Sequence, residues 1–387
     1  MPEPIQLPAP SQQPDLLIVA GEHSGDQHAA ELLDQLAEIK PGLTVCALGG
    51  EALSKAGAQV IFDLVDHSVV GIAEVLKNYG FFKELFEKVA AWIREHRPKA
   101  ICFVDYPGFN LRLAERLVKE GLAVKGDGDI PLLYYISPQI WAWKGKRRFK
   151  MAKLLDSLGV IFPFEIDCYQ DTDLPVEFVG HPFVAKDFNL GLRYEKGAPI
   201  LLLPGSRLTP VRRIFPTLIE AFIDFHAERA TNRAIVLYPS PAVKALLEEL
   251  IAARHGAKDL IKLMPADADI AASAVLTSSG TMSLKVALAG IPGRIVYRAN
   301  PITYVLGRML VKIPYLGIAN ILLNRPAYPE YLQGAAKPAV LARELAKITD
   351  QTSAAESAQQ DARELRQLLG EGQDNAAAGW LANFISD

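Results

Sequence analysis

Asp15-Leu16-Leu17-Ile18-Val19-Ala20, followed at once by Gly21-Glu22-His23-Ser24-Gly25-Asp26, sets the reading of the whole chain. The apolar run is short and stops at a glycine, as a strand buried on both faces does. Gly25 to Lys40 then reads as a helix, and Leu43 to Leu48 as a second strand. Phe82, Leu85, Phe86, Val89, Trp92 and Ile93 recur at helical spacing and predict a helix over Phe81 to His96, with Pro98 past its end. Ala100 to Val104 predicts a strand, Asn110 to Lys119 a helix, and Leu132 to Ile136 and Ser157 to Phe162 further strands. Val184 to Ala198 is polar and irregular, as a linker is. The alternation restarts with strands expected at Pro199 to Leu203, Ala234 to Tyr238, Ala274 to Thr277 and Arg294 to Tyr297. Helices are expected between them at Pro210 to Glu228, Ala242 to Ala253 and Met282 to Ala289. This pattern predicts an α/β chain of two doubly wound, Rossmann-like domains facing a central cleft. The expected divisions are a disordered leader (1–14), a first domain (15–183), a linker (184–198), a second domain (199–338) and terminal helices (339–387).

Composition narrows the function. The chain has 387 residues, 50% of them apolar and 22% charged, enough for sizeable cores. Its net charge of −3 speaks against bulk binding of nucleic acid. The three cysteines, Cys46, Cys102 and Cys168, form no CxxC pair. Cys46 and Cys102 sit in apolar runs, so buried free thiols and a reducing compartment are expected. No uncharged apolar run reaches the roughly 18 residues needed to span a bilayer. Residues 1–14 carry five prolines and no basic stretch, unlike a signal peptide. A cytoplasmic protein is expected, in contact with a membrane only peripherally.

In doubly wound sheets ligands bind beyond the carboxyl ends of the strands, and the chemically suggestive residues stand there. Gly21 and Gly25 let a ligand approach the backbone. Glu22, Ser24 and Asp26 beside them suit a hydroxyl-rich sugar, although Ser24 or Asp26 would serve equally as a helix cap. Asp105 follows a strand, where a carboxylate can act as general base. Asp105 reads equally as the opening of a Pro107-Gly108 turn, and Asn110 as an ordinary helix cap. Trp141 and Trp143 stand beside Lys144, Lys146, Arg147, Arg148 and Lys150, a mixture that suits an anionic lipid interface or the stacking of nucleic-acid bases. A packed aromatic pair behind a solvated face is the bland alternative. Gly205-Ser206-Arg207 follows the first strand of the second half, and a guanidinium matches phosphate oxygens. Ser278-Ser279-Gly280-Thr281 leads into a helix whose free N–H groups attract anions. The two loops together suggest a diphosphate site. Neither a metal-binding spacing nor a nucleophile elbow is seen.

These motifs resemble lipid-A-disaccharide synthases, glycosyltransferases of the GT-B fold. The resemblance runs from Asp15 to about Gln333. It rests on the Gly21–Asp26 loop, Val70-Gly71-Ile72-Ala73-Glu74-Val75-Leu76, Asp105–Asn110, Ser137–Trp143, Gly180-His181-Pro182, Leu203–Arg207, Ser279-Gly280-Thr281 and Pro329-Glu330-Tyr331-Leu332-Gln333. It implies transfer of 2,3-diacylglucosamine from UDP to 2,3-diacylglucosamine 1-phosphate. The reaction inverts the anomeric carbon and yields a β(1→6) disaccharide 1-phosphate and UDP. Asp105 is implied as the base. Gly21, Glu22, Ser24, Gly25, Asp26, Asn110, Gln139, Trp141 and His181 are implied as substrate contacts. Gly205, Ser206, Arg207, Ser278, Ser279, Gly280, Thr281, Arg298, Asn320 and Gln333 are implied as UDP contacts, with no cofactor or metal. Trp143, Lys144, Lys146, Arg147 and Arg148 are implied to touch the cytoplasmic face of the inner membrane, and Tyr304 to Leu323 is a second such candidate. The family tends to dimerise, so a homodimer is expected, and no nucleic-acid partner.

Three positions depart from the family pattern. His23 stands where many members have Ala, and Gly108 where many have Asp. Lys285 stands where the helix after Thr281 usually carries a ribose-binding Glu, and an ammonium can only donate. Two alternatives remain: another enzyme using UDP-GlcNAc, such as a muramyl-lipid glycosyltransferase or a 2-epimerase, and a non-catalytic nucleotide-sugar binder.

Overall fold

The computed structural model describes residues 5–68, 79–186, 188–229, 233–300 and 314–385. Val70–Leu76 and residues 304–313 of the apolar stretch lie outside them. The chain divides into two compact units, Met1–Lys186 with Leu369–Asp387, and Asp187–Leu368.

In the first unit the strands are β1 (Leu16–Ala20), β2 (Val45–Gly49), β3 (Gln59–Asp63), β4 (Ala100–Val104), β5 (Leu132–Tyr135), β6 (Ser157–Val160) and β7 (Val176–Phe178). They form one parallel sheet in the order β3-β2-β1-β4-β5-β6-β7. Every residue of β1, β2, β4, β5 and β6 is buried. That is why these strands read as unbroken apolar runs: helices cover both faces of the sheet. Helix Tyr79–His96 contributes Leu85, Val89, Ala90, Trp92 and Ile93 to the core, the stripe its spacing predicts. The strand order reverses between β1 and β4, so the crevice of this sheet opens beyond Ala20 and Val104.

The second unit holds β8 (Leu192–Tyr194), β9 (Ile200–Leu203), β10 (Ala234–Tyr238), β11 (Ile261–Pro265), β12 (Ile270–Ala272), β13 (Ala274–Thr277), β14 (Gly293–Tyr297) and β15 (Glu330–Leu332). Six of them form a parallel sheet, β11-β10-β9-β13-β14-β15, while β8 pairs with β12. Its order reverses between β9 and β13, beyond Leu203 and Thr277. The core packs beneath helices Leu208–Glu228, Pro241–Ala252 and Pro338–Asp350.

Three expectations about the flanks change. Residues 5–14 are packed rather than disordered. Ile5 is buried, the Trp92 indole donates to the Pro8 carbonyl at 2.9 Å, and the Gln59 amide donates to the Ala9 carbonyl at 3.0 Å. The backbone carbonyls of this segment, at Pro8 and Ala9, are satisfied by side-chain donors of the domain. The stretch 184–198, expected as an irregular linker, contains β8. The terminal helices part company. Pro338–Asp350 and Thr352–Leu368 belong to the second unit, whereas Ala376–Ala382 belongs to the first. Trp380 anchors that last helix, its indole donating to Ser157 Oγ at 2.9 Å.

Cys46 and Cys102 are buried free thiols, as expected. Burial pushes them up to about 11 and about 12, so neither forms a ready thiolate.

Candidate active site

At the crevice of the first sheet the chain turns sharply after β4. Asp105 and Tyr106 both adopt left-handed backbone, with φ of 44° and 48°. Such a conformation costs on the order of 1–3 kcal/mol per residue bearing a Cβ and persists where its surroundings over-determine it. Here they do. The Asp105 N–H donates to the Tyr135 carbonyl at 3.2 Å. The Asp105 carbonyl accepts from the Asn110 amide at 2.7 Å and from the Tyr134 hydroxyl. The kink lays the Tyr106 ring across Gly21, so closely that a Cβ at residue 21 would lie 2.3 Å from Tyr106 Cδ1. Only glycine fits there. Gly25, in the first turn of helix His23–Ile39, would place a Cβ 3.9 Å from that of Asp105. Glu22 is half-buried and Ser24 exposed at the same helix start. Burial, together with the Glu22 charge, pushes the Tyr106 phenol up. Gly21, Glu22, Ser24, Gly25 and Asp105 are thus gathered at one crevice.

Three expected substrate contacts have structural work instead. Asp26 is buried, and its carboxylate accepts the N–H groups of Gly50 at 2.7 Å and Ala52 at 3.0 Å. It satisfies the open N-terminus of helix Glu51–Lys55, leaving little for a sugar. Asn110 is fully buried, and its amide serves the carbonyls of Val19, Val104 and Asp105. His181 is buried between Phe162 and Phe183, with Nδ1 accepting the Phe183 N–H at 3.1 Å. Burial holds this imidazole well below its usual range, so it is neutral and serves as an acceptor.

After β5 the loop carries Gln139, which is exposed, and Trp141, which packs edge-on against Phe164. Ser137 anchors the loop through its hydroxyl, 2.8 Å from that of Tyr169. Nearby, Glu165 is buried with its carboxylate on the Phe162 N–H at 3.2 Å. Burial pushes this carboxyl up to about 8 against an ordinary 4.5, although the Phe162 and Ile161 N–H groups oppose the rise. The unfolded chain therefore releases a proton that the folded protein retains, and stability declines as pH rises through that window. Between about pH 5 and pH 8.5, the Tm of the native chain is expected to fall relative to that of Glu165→Gln. Parallel Tm profiles for the two proteins would contradict it.

Trp143 is 51% exposed, with Lys144 Nζ 4.3 Å and Arg147 Cζ 5.8 Å from its ring centroid. Lys146 is exposed, as is Phe149. Arg148, expected at the lipid interface, instead forks onto the Asp171 carboxylate. Its planar guanidinium finds a matching acceptor in the same unit.

At the crevice of the second sheet, Gly205 (φ 120°) brings its loop against Ser278, whose Oγ would lie 3.5 Å from a Cβ at residue 205. The Ser278 N–H donates to the Leu203 carbonyl at 2.8 Å, tying the two loops together. Gly280 begins helix Thr281–Leu288 with no side-chain cap, while Ser283 Oγ turns back to the Gly280 carbonyl. Ser278 and Ser279 are half-buried, and Ser206, Arg207, Gly280 and Thr281 are exposed. Arg207 heads helix Leu208–Glu228, so two helix starts, one of them led by an arginine, flank one crevice. Arg298 follows β14 and is half-buried.

Asn320 and Gln333 do not stand as UDP contacts. Asn320 is fully buried and pairs with Tyr328, accepting its N–H at 2.8 Å and donating to its carbonyl at 2.7 Å. Gln333 pairs likewise with both backbone groups of Ala299. A carboxamide matches a peptide group, and here both are spent on the backbone. Lys285 points its ammonium over the Phe188 ring, 5.0 Å from the centroid.

Sequence reasoning missed Tyr106, Tyr134 and Glu165. Tyr134 sits in an apolar run and reads as core. Only the turn at Asp105 shows what its hydroxyl reaches.

A family model described as lipid-A-disaccharide synthetase matches residues 16–384. The chain is 35% identical over 372 residues to lipid-A-disaccharide synthase 1 of Legionella pneumophila, covering 92% of this chain and 94% of that one. It is 35% identical over 375 residues to the lipid-A-disaccharide synthase of Anaeromyxobacter dehalogenans, covering 94% and 96%. Among solved structures it resembles a UDP-GlcNAc 2-epimerase from Neisseria meningitidis, with a TM-score of 0.61 at 10% identity over 96% and 100% of the chains. It also resembles a calicheamicin glycosyltransferase, with a TM-score of 0.55 at 14% identity over 97% and 98%. At such identities these structures show the fold alone, that of GT-B proteins. The sequence matches go further, and the chain belongs to the lipid-A-disaccharide synthetase family.

Proposed function

We propose that the chain transfers 2,3-diacylglucosamine from its UDP conjugate to the 6-hydroxyl of 2,3-diacylglucosamine 1-phosphate, with inversion. Family membership makes it a glycosyltransferase of lipid A assembly, with a UDP-sugar donor and lipid-linked sugar substrates. In the proposed step Asp105 takes the hydroxyl proton as the oxygen attacks the anomeric carbon. The bond to the β-phosphate oxygen breaks, and UDP leaves with the electron pair. Arg207 and the N–H groups that begin helix Thr281–Leu288 would stabilise the departing diphosphate. Gly205, Ser206, Ser278 and Ser279 would shape that anion site, and Arg298 would approach it from β14. Gly21, Glu22, Ser24 and Gly25 would hold the acceptor sugar, with Gln139 and Trp141 presented by the loop after β5.

The observation that carries this reading is the position of Asp105, in a left-handed backbone kink at the reversal point of its sheet. Mass spectrometry of products from a diacylated donor and acceptor tests it. A disaccharide 1-phosphate should appear, with UDP release that needs both substrates. Turnover of unacylated UDP-GlcNAc without acceptor would point to an epimerase instead.

A second part of the proposal concerns the membrane. No helix among the described residues is long and apolar enough to cross one. The exposed Trp143, with Lys144 and Arg147 against its ring and Lys146 nearby, would bind an anionic lipid surface at the membrane's cytoplasmic face. Co-sedimentation with phosphatidylglycerol vesicles should fall about tenfold in a Trp143→Ala, Lys144→Ala double variant. Unchanged sedimentation would remove this segment from the interface.

A further inference from the structure

We propose that Tyr134 is a positioning residue: its hydroxyl, with the Asn110 amide, fixes the Asp105 peptide in its left-handed kink and so aims the carboxylate. The inference rests on the reading of Asp105 as the base.

Tyr134 lies within β5, fully buried, its ring 6.2 Å from that of Phe103. A buried phenol must find a hydrogen-bond partner. The register places Tyr134 opposite Phe103 and Tyr135 opposite Val104, so the first peptide beyond β4 lies just past the ladder. There the Tyr134 hydroxyl meets the Asp105 carbonyl. The N–H of the same residue, in the preceding peptide, donates to the Tyr135 carbonyl. Both ends of the Asp105 residue are therefore tied to β5, and Asn110 adds a second donor to the carbonyl.

Those bonds hold a conformation that Asp105 and Tyr106 would otherwise leave. If the kink relaxed, the Asp105 side chain would swing and the Tyr106 ring would lose its seat on Gly21. Core packing alone does not explain the phenol, since a phenylalanine would fill the same space beside Phe103. The hydroxyl is spent on one peptide, and that peptide carries the proposed base.

The test compares purified full-length chains by steady-state kinetics. Tyr134→Phe should lower kcat about tenfold to a hundredfold, the scale of a misplaced catalytic group, with KM for both substrates held within about threefold. The acid limb of its kcat–pH profile should also move. Phe103→Leu disturbs the same packing but keeps the hydroxyl, and should lower Tm while retaining kcat. A native kcat in Tyr134→Phe, or an equal loss in Phe103→Leu, would overturn the proposal. Asp105→Asn is measured alongside. If it is inactive while Tyr134→Phe is fully active, only the positioning role falls. If it is active, the base reading falls and this inference with it.

Discussion

Replacing Asp105 with asparagine is expected to lower kcat by about a hundredfold to ten-thousandfold, the usual span for removing a general base. The substitution is chosen to spare the structure. Asparagine has nearly the same shape and tolerates left-handed backbone as readily as aspartate. The bonds from Tyr134, Tyr135 and Asn110 engage the backbone of residue 105, so they survive the change. What is lost is the negative charge and the ability to take a proton. KM should hold, because the hydroxyl is still held while its proton has nowhere to go. UDP release in the presence of both acylated sugars measures the effect, and circular dichroism checks the fold. A variant that kept native turnover would exclude Asp105 as the base.

Replacing Arg207 with alanine should lower kcat by about a hundredfold to a thousandfold, the cost of removing one donor to a developing anion. As the diphosphate departs its charge grows, and a fixed cation stabilises that state more than the bound donor. UDP binding measured by calorimetry should weaken as well, because the product carries the same phosphates. Arg207→Lys should recover only part of the rate, since an ammonium cannot make the paired bonds of a guanidinium. A calorimetric Kd for UDP unchanged in Arg207→Ala would place the diphosphate elsewhere. Gly205, with φ of 120°, is the point that lets the Arg207 loop pass against Ser278.

Lys285 limits how far family analogy extends. Its ammonium rests over Phe188 in the same unit. A carboxylate in that position would accept from ribose hydroxyls, and an ammonium cannot. The proposed diphosphate loops would be unaffected by this exchange, because they would act through N–H groups and Arg207.

What was legible in the sequence follows from periodicity. β1, β4, β9, β10 and β13 were readable because strands buried on both faces are continuous apolar runs bounded by turns. The loops beyond β1, β4, β9 and β13 were readable because strand ends carry the ligand sites in this class of fold. β7, β8, β12 and β15 were not, since three half-exposed or mixed residues carry no period. Residues 5–14 looked disordered by composition, yet Trp92 and Gln59 hold their carbonyls, a contact no local signal announces.

Side-chain roles divide the same way. The sequence by itself determined that the fold is doubly wound, that the Gly21, Asp105, Gly205 and Ser278 loops lie at strand ends, and that the chain carries no net positive charge. These follow from apolar spacing, turn chemistry and charge, all of which are local. Only the tertiary structure decided that Asp26, Asn110, Asn320 and Gln333 serve the backbone, that Arg148 is spent on Asp171, and that Tyr134 reaches Asp105. A polar side chain bonds whichever partner the fold brings within about 3 Å, and that partner may lie far along the chain. Residue type tells what a group can do, and burial and neighbours decide what is left for it to do.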